Sequence, residues 1–305
     1  MRLLNASGCL DALTAPDVAR MLDAYVTKTV TPLPRDGNAP VRIAETDVGM
    51  LNAIGLANPG VDAFVVEHLP RLAELGVPLW VSVGGFATED YVHVAKRLAG
   101  RAEVDTLELN LSCPNVDEVP ENVGEVVAEV RAVTDKPLYA KLSAAVADLA
   151  ATARAAEAAG ADGLSLVNTI RGLALDERTL EPVLARGAGG LSGPALRPVA
   201  LAAVLMCFRE TGLPIVGMGG VASGRHALEL LAAGASDVAV GTALFADPGA
   251  VAGIRSELEA ELAAHGFVNP DNAVGVALGA GGSTLDPRSR VKSKKSLHTG
   301  LKVSG

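Results

Sequence analysis

Long apolar runs are missing from this sequence. No stretch reaches the roughly 20 consecutive apolar residues that a membrane-crossing helix needs. The start, Met1-Arg2-Leu3-Leu4-Asn5, lacks the apolar segment of a secretory leader. Aromatic residues make up only 3% of the chain, so its core has to be built from Ala, Val and Leu. Cysteine is scarce: Cys9, Cys113 and Cys207 stand far apart. Three scattered thiols provide neither a disulfide framework nor a Cys-x-x-Cys metal site. They cannot by themselves ligate an iron–sulfur centre, and they point to a reducing cytoplasm. The five histidines show no His-x-His or His-Glu-x-x-His spacing, so no metal site is assigned. Excess positive charge is absent too. Net charge is −9, which argues against a nucleic-acid partner. The six basic residues between 288 and 305, with no acid among them, leave −15 on residues 1–287 (−9 less 6).

What remains is a globular composition, 49% hydrophobic and 20% charged, with enough apolar material for a sizeable core. Short β-rich runs alternate with Ala/Leu/Glu-rich stretches of helical period. The expected strands are Leu3–Ala6, Tyr25–Lys28, Pro78–Val83, Thr106–Leu111, Leu138–Leu142, Gly163–Val167, Pro214–Gly217 and Asp237–Val240. The expected helices are Ala15–Leu22, Val61–Leu75, Glu89–Leu98, Val123–Thr134, Val146–Ala159, Ala195–Thr211, Gly224–Ala233 and Pro248–His265. Eight strand–helix units in succession predict an α/β protein of the (β/α)8 TIM-barrel class. The structural rival is an open doubly wound sheet, but no glycine fingerprint follows the first strand to support it. Residues 1–279 read as a single barrel domain. A long loop insertion at about 30–60, rich in Pro and Gly, is expected to wall or cover the active face. Residues 280–305 read as a disordered basic tail.

In such a barrel the chemistry sits at the C-terminal strand ends, and this chain places its polar residues there. The most informative stretch is Leu107–Asn115, where an alternating strand runs into a loop carrying Asn110, Ser112, Cys113 and Asn115. Pro114 prevents Cys113 from continuing as helix. Amides on both sides of a thiol suit a planar, amide-rich substrate that must lose a proton. Lys28 and Lys141 each follow an apolar strand, and a lysine in a barrel mouth calls for an anion. Gly219, Gly220, Gly241 and Thr242 follow the last two strands. There backbone N–H groups, aided by the dipole of the next helix, can receive a phosphate. Cys207 lies in an apolar helical run, and neither it nor Cys9 shows a comparable polar setting.

Nine segments in order carry a resemblance: Asn5-Ala-Ser-Gly8, Val26-Thr-Lys-Thr29, Asn52-Ala-Ile-Gly-Leu56, Asn110-Leu-Ser-Cys-Pro-Asn115, Lys141-Leu-Ser143, Leu166-Val-Asn-Thr169, Gly189-Gly-Leu-Ser-Gly193, Gly217-Met-Gly-Gly220 and Gly241-Thr242. Together they resemble the class 1 dihydroorotate dehydrogenases over about residues 3–262. Ala44-Glu-Thr46 and Asn52-Ala-Ile-Gly-Leu56 look more like the NAD-linked subclass than the fumarate-linked one.

The resemblance implies an FMN-binding barrel that oxidises (S)-dihydroorotate to orotate in pyrimidine synthesis. It implies Cys113 as the base for the C5 proton; a free thiol, with its pKa near 8.5, needs only modest help for that task. Lys28 would meet the orotate carboxylate and the flavin edge. Asn52, Asn110, Asn115 and Asn168, with Thr169, would hydrogen-bond the pyrimidine, and Ala53, Ile54, Gly55 and Leu56 would complete the substrate loop. Lys141 would sit near flavin N1 and O2. Ser7, Thr29, Ser82, Val167 and Gly193 would line the isoalloxazine and ribityl chain, and Gly219, Gly220, Gly241 and Thr242 would take the phosphate. The NAD-linked subclass implies a partner subunit carrying FAD and an iron–sulfur cluster, and the family implies a homodimeric core. The chain departs from the family pattern in places. Val116-Asp-Glu-Val-Pro120 replaces a longer Gly-rich lid, Ser82 stands for a common asparagine, and Ala144-Ala145 follow Lys141-Leu-Ser. No hairpin precedes the first strand. Two other readings stand beside this one: a flavin barrel acting on another dihydropyrimidine, and a non-redox phosphate-binding barrel.

Overall fold

The computed structural model describes residues 1–111 and 122–279. In chain order the strands are β1 (Leu3–Asn5), β2 (Tyr25–Val26), β3 (Ile43–Thr46), β4 (Gly49–Asn52), β5 (Leu79–Val83), β6 (Thr106–Asn110), β7 (Leu138–Leu142), β8 (Gly163–Leu166), β9 (Ile170–Gly172), β10 (Gly189–Ser192), β11 (Ile215–Met218) and β12 (Asp237–Val240). The helices are α1 (Pro16–Ala19), α2 (Val61–Ala63), α3 (Leu69–Ala73), α4 (Thr88–Ala99), α5 (Val123–Arg131), α6 (Leu149–Ala158), α7 (Arg197–Glu210), α8 (Gly224–Ala233), α9 (Ala243–Ala246) and α10 (Ala250–Ala264). Eight strands make one parallel sheet in the order β1-β12-β11-β8-β7-β6-β5-β2, with helices in the connections. This is the (β/α)8 architecture, and its strands follow the expected ones to within a residue or two.

The sheet closes at the β1/β2 seam through a side chain. Asn5 Nδ2 donates to the Val26 carbonyl at 2.8 Å, and the Val26 N–H donates to Asn5 Oδ1 at 2.8 Å. A Leu4–Ala24 bridge lies beside them. A primary amide both donates and accepts, so Asn5 stands in for a missing backbone rung.

Two apolar layers hold the barrel. Leu107, Leu109, Leu138 and Leu164 face the helices, meeting the buried stripe Tyr91, Val94, Ala95 and Leu98 of α4 and its counterparts. That stripe recurs at helical spacing. Inside the barrel a smaller cluster forms from Leu4, Val26, Trp80, Tyr139, Val216 and Met218. Trp80 packs on Tyr139 with ring centroids 4.5 Å apart. Arg2 covers the Trp80 ring at 5.1 Å and binds Asp237 at 2.7 Å, which plugs the floor.

The expected helix over 61–75 is continuous but not uniform: it passes through a π-helical turn at Phe64–His68. Pro70 at the start of α3 has no N–H to donate to the preceding turn, and the ladder widens there. The expected long loop is the larger difference. It holds a β3–β4 hairpin, and this pairs with β10 and β9 in a separate four-stranded antiparallel sheet. Among the described residues no helix is long and apolar enough to cross a membrane.

Candidate active site at the barrel mouth

The C-terminal strand ends and the small sheet enclose a cavity of about 740 Å3, within the usual range for cofactor sites. Of the residues expected from sequence, Ser7, Lys28, Asn52, Ile54, Lys141, Val167, Asn168, Thr169, Gly193, Gly219, Gly220, Gly241 and Thr242 lie on its wall. Thr29, Ser82 and Asn110 stand behind that wall, each buried. Ala53 packs into a satellite core with Leu51 and Leu184, and Gly55 and Leu56 turn the chain at positive φ, away from the wall. Ser112, Cys113 and Asn115 lie outside the described residues.

Lys28 reaches the mouth because of an extra residue. The Thr27 N–H donates to the Trp80 carbonyl and the Val30 N–H to the Ser82 carbonyl. Three steps on one strand therefore oppose two on β5, as in a bulge. Val26 and Val30 stay in the core while Lys28 is half-buried at the wall.

Asn110 is held by a chain of short polar contacts. Its Nδ2 donates to Thr29 Oγ1 at 3.2 Å, and Thr29 and Ser82 share a hydrogen bond at 3.0 Å. Asn168 Nδ2 donates to Asn110 Oδ1 at 3.1 Å. Ser7 donates to the Thr27 carbonyl at 2.8 Å. Five strand ends are thereby tied into one polar floor. Such networks fix side-chain direction because each unmade bond is costly in a dry site.

The small sheet forms the opposite wall. Met50, Asn52 and Ser192 face the cavity; Ser192 Oγ donates to the Met50 carbonyl at 3.2 Å, and Asn52 Nδ2 donates to the Gly190 carbonyl at 3.3 Å. At the glycine end Gly219 and Gly220 have φ of +124° and +72°. A Cβ at Gly220 would come within 2.9 Å of the Gly193 carbonyl oxygen. Only glycine lets the backbone run there, and it leaves amide groups rather than side chains at the surface. The first N–H of α8 is already met at this end: the Gly224 N–H donates at 2.7 Å to a carboxylate oxygen of Glu257, which itself lies on the cavity wall.

Cys9 is a correction to the sequence reading. It lines the cavity beside Gly241, with its sulfur 3.5 Å from where a Cβ there would sit. Burial pushes its thiol pKa up, while Lys141 and Lys28 pull it the other way. Its position directly after the Asn5–Gly8 strand-end motif is the signal that could have flagged it.

A family model described as dihydroorotate dehydrogenase matches residues 2–262. The chain belongs to the dihydroorotate dehydrogenase family.

Two curated relatives, from Anoxybacillus flavithermus and Desulforudis audaxviator, bear the name dihydroorotate dehydrogenase B (NAD(+)), catalytic subunit. The first is 46% identical over 277 residues, covering 87% of this chain and 88% of the relative. The second is 46% identical over 268 residues, covering 86% and 87%. A solved dihydroorotate dehydrogenase from Eimeria tenella, in complex with ferulenol, superposes with a TM-score of 0.77. It covers 90% of this chain and 84% of its own, at 24% identity; it speaks for the fold. As a class 1 dihydroorotate dehydrogenase the chain is an oxidoreductase of CH–CH donors with FMN as cofactor. Neither a flavin barrel acting on another dihydropyrimidine nor a non-redox barrel is favoured.

The dihydroorotate dehydrogenase cavity has the donor set that FMN needs. A flat tricyclic ring asks for apolar faces, and Ala6, Met50, Val167 and Met218 supply them. Its polar edge asks for donors, which Lys141, Lys28 and Asn168 provide. Its phosphate asks for backbone amides not screened by side chains, and Gly219, Gly220 and Gly241 on the wall are placed to offer them.

Proposed function

We propose that this dihydroorotate dehydrogenase is the FMN-carrying catalytic subunit of an NAD-linked enzyme, with Cys113 as base and Lys28 as carboxylate anchor. The carrying observation is the cavity that gathers Lys28, Lys141, Asn52 and Asn168 together with Gly219 and Gly220 on one wall.

FMN supplies, when bound, the two-electron acceptor for the hydrogen at dihydroorotate C6. The chain's own residues do the rest. Lys28 neutralises the substrate carboxylate in a half-buried place where that charge is worth more than in water. Asn52, Asn115 and Asn168, with Thr169, hold the ring, since each amide can donate to a carbonyl and accept from an N–H; Asn110, behind the wall, directs Asn168 through its Oδ1. Ala53, Ile54, Gly55 and Leu56 shape the loop that carries Asn52. Cys113 removes the C5 proton as thiolate, the form in which a cysteine acts as base. Lys141, with Ser7, Thr29, Ser82, Val167 and Gly193, keeps the ring in place, and Gly219, Gly220, Gly241 and Thr242 hold the phosphate.

Electrons leave through a partner. The chain has neither a dinucleotide fingerprint nor four cysteines for a cluster, and its relatives are named as catalytic subunits. A second subunit with FAD and an iron–sulfur cluster fits both facts. The catalytic core is a homodimer. In support, Val41, Ile43, Val48, Leu173, Leu175 and Leu180, on or next to the small sheet, form exposed apolar surface. Residues 1–279 act as one domain with residues 280–305 as a basic tail, in the cytoplasm.

The test is Cys113→Ala in the FMN-loaded protein. It keeps the yellow cofactor and loses flavin reduction by dihydroorotate. An unchanged rate would remove Cys113 as base.

A further inference from the structure

One buried charge beneath the site has no part in the roles above. Glu108 on β6 has a side chain 1% exposed, and its Oε1 lies 3.4 Å from the Nζ of Lys141 on β7, itself 7% exposed. β6 and β7 pair with Asn110 beside Lys141. Glu108 therefore stands one inward-facing position deeper than Asn110. Lys141 is on the cavity wall and Glu108 is not.

Every residue of β6 is buried. A carboxylate there is costly unless it meets a cation and further donors. Replacing such a pair with apolar side chains is often neutral or stabilising, so the pair is a poor device for stability alone. It has two consequences for whatever lies on the wall above. The ammonium is held by a group fixed on a central strand, and its charge is balanced from below.

We propose that Glu108 is a positioning residue for the cofactor: through its ion pair it aims the Lys141 ammonium at the cavity and limits the positive charge the flavin ring meets. The inference rests on the FMN reading of this cavity. Glu108 itself touches neither cofactor nor substrate. In a water-poor site the balance of one charge matters at the flavin, because the ring gains negative charge on reduction and Coulomb terms there are weakly screened.

The experiment is the flavin midpoint potential of the holoprotein, read by equilibration with a reference dye, alongside the dissociation constant of oxidised FMN. Glu108→Gln keeps shape and removes the balancing charge. The preference for reduced over oxidised flavin should rise about tenfold, an upward shift of ~30 mV for a two-electron couple. In a Lys141→Met background the same change should leave the potential where it was. There no ammonium remains for Glu108 to aim or to balance. Glu108→Asp, which keeps the charge but withdraws it by a methylene, should give a smaller upward shift, and it carries the test if Glu108→Gln does not fold. An unmoved or lowered potential in the Glu108 variants that retain Lys141, or equal shifts with and without Lys141, would overturn the proposal. A wild-type chain that takes up no FMN would overturn the functional reading and this inference with it; normal FMN uptake with an unmoved potential overturns this inference alone.

Discussion

Gly8 and Lys28 share one space. A Cβ on Gly8 would lie 2.9 Å from Cδ and 3.0 Å from Nζ of Lys28, and Gly8 has φ of +79°. The strand-end glycine after β1 is thus the room in which the β2 lysine lies.

Gly8→Ala should displace that lysine and strain the turn. Orotate binding falls while FMN stays bound. Lys28→Ala removes the charge-assisted bond outright, worth about 1.5–3 kcal/mol or roughly 10- to 100-fold in orotate affinity. Titration of the holoprotein with orotate, followed by flavin absorbance, reads both. A larger loss of FMN than of orotate affinity would contradict the role given to Lys28.

Asn110→Ala breaks the chain that joins Thr29, Ser82 and Asn168. It leaves buried polar atoms unmet, at about 1–3 kcal/mol of folding stability. Urea unfolding should show that loss. Flavin reduction should slow as well, because Asn168 loses the acceptor that directs it. A variant with full stability would show the network to be looser than its distances indicate.

The eight barrel strands were legible because each carries a local pattern bounded by turns. The face they turn inward was not. Leu107, Leu109 and Leu111 alternate with Glu108 and Asn110, which in an ordinary sheet means apolar inside and polar in water. Here β6 is buried on both faces; the leucines meet the helices, and the polar residues point into the barrel toward the site. The second sheet was also hidden. It joins Gly49–Asn52 to Gly189–Ser192, so no local window contains both partners. Cys9, whose sequence neighbourhood shows no polar setting like that of Cys113, reaches Gly241 because β1 and β12 are neighbours. Residues 112–121, with Cys113 and Asn115, carry the strongest sequence signal and lie outside the described residues.

Tyr25 gives an alkaline limit to stability. Burial raises its phenol pKa to about 12; the OH donates to the Leu10 carbonyl at 3.0 Å. The folded pKa exceeds the unfolded one of about 10, so the folded state binds more protons in between. Stability is complete below pH ~10 and falls through pH ~12, by about 2–3 kcal/mol for this group. Tyr25→Phe should flatten that limb in unfolding midpoints recorded from pH ~8 to pH ~11, at some cost near neutrality. An identical limb in the variant would exclude Tyr25 as its source.

Cys9 offers a probe of occupancy. Its thiol lines the cavity, whereas Cys207 is buried in α7 with its pKa pushed up to about 12 by burial. In protein stripped of FMN, a small alkylating agent should modify Cys9 slowly and Cys207 hardly at all. Added FMN should protect Cys9. Peptide mass mapping reads the outcome, and equal labelling with and without FMN would place the cofactor elsewhere.

The most direct measurement of the central claim is anaerobic mixing of the FMN-loaded protein with dihydroorotate, followed through the loss of the flavin's visible absorbance. Rapid bleaching by dihydroorotate, with dihydrouracil far slower because it has no carboxylate for Lys28, is the expected result. Flavin that stays oxidised with dihydroorotate, or that bleaches equally fast with dihydrouracil, would contradict the account.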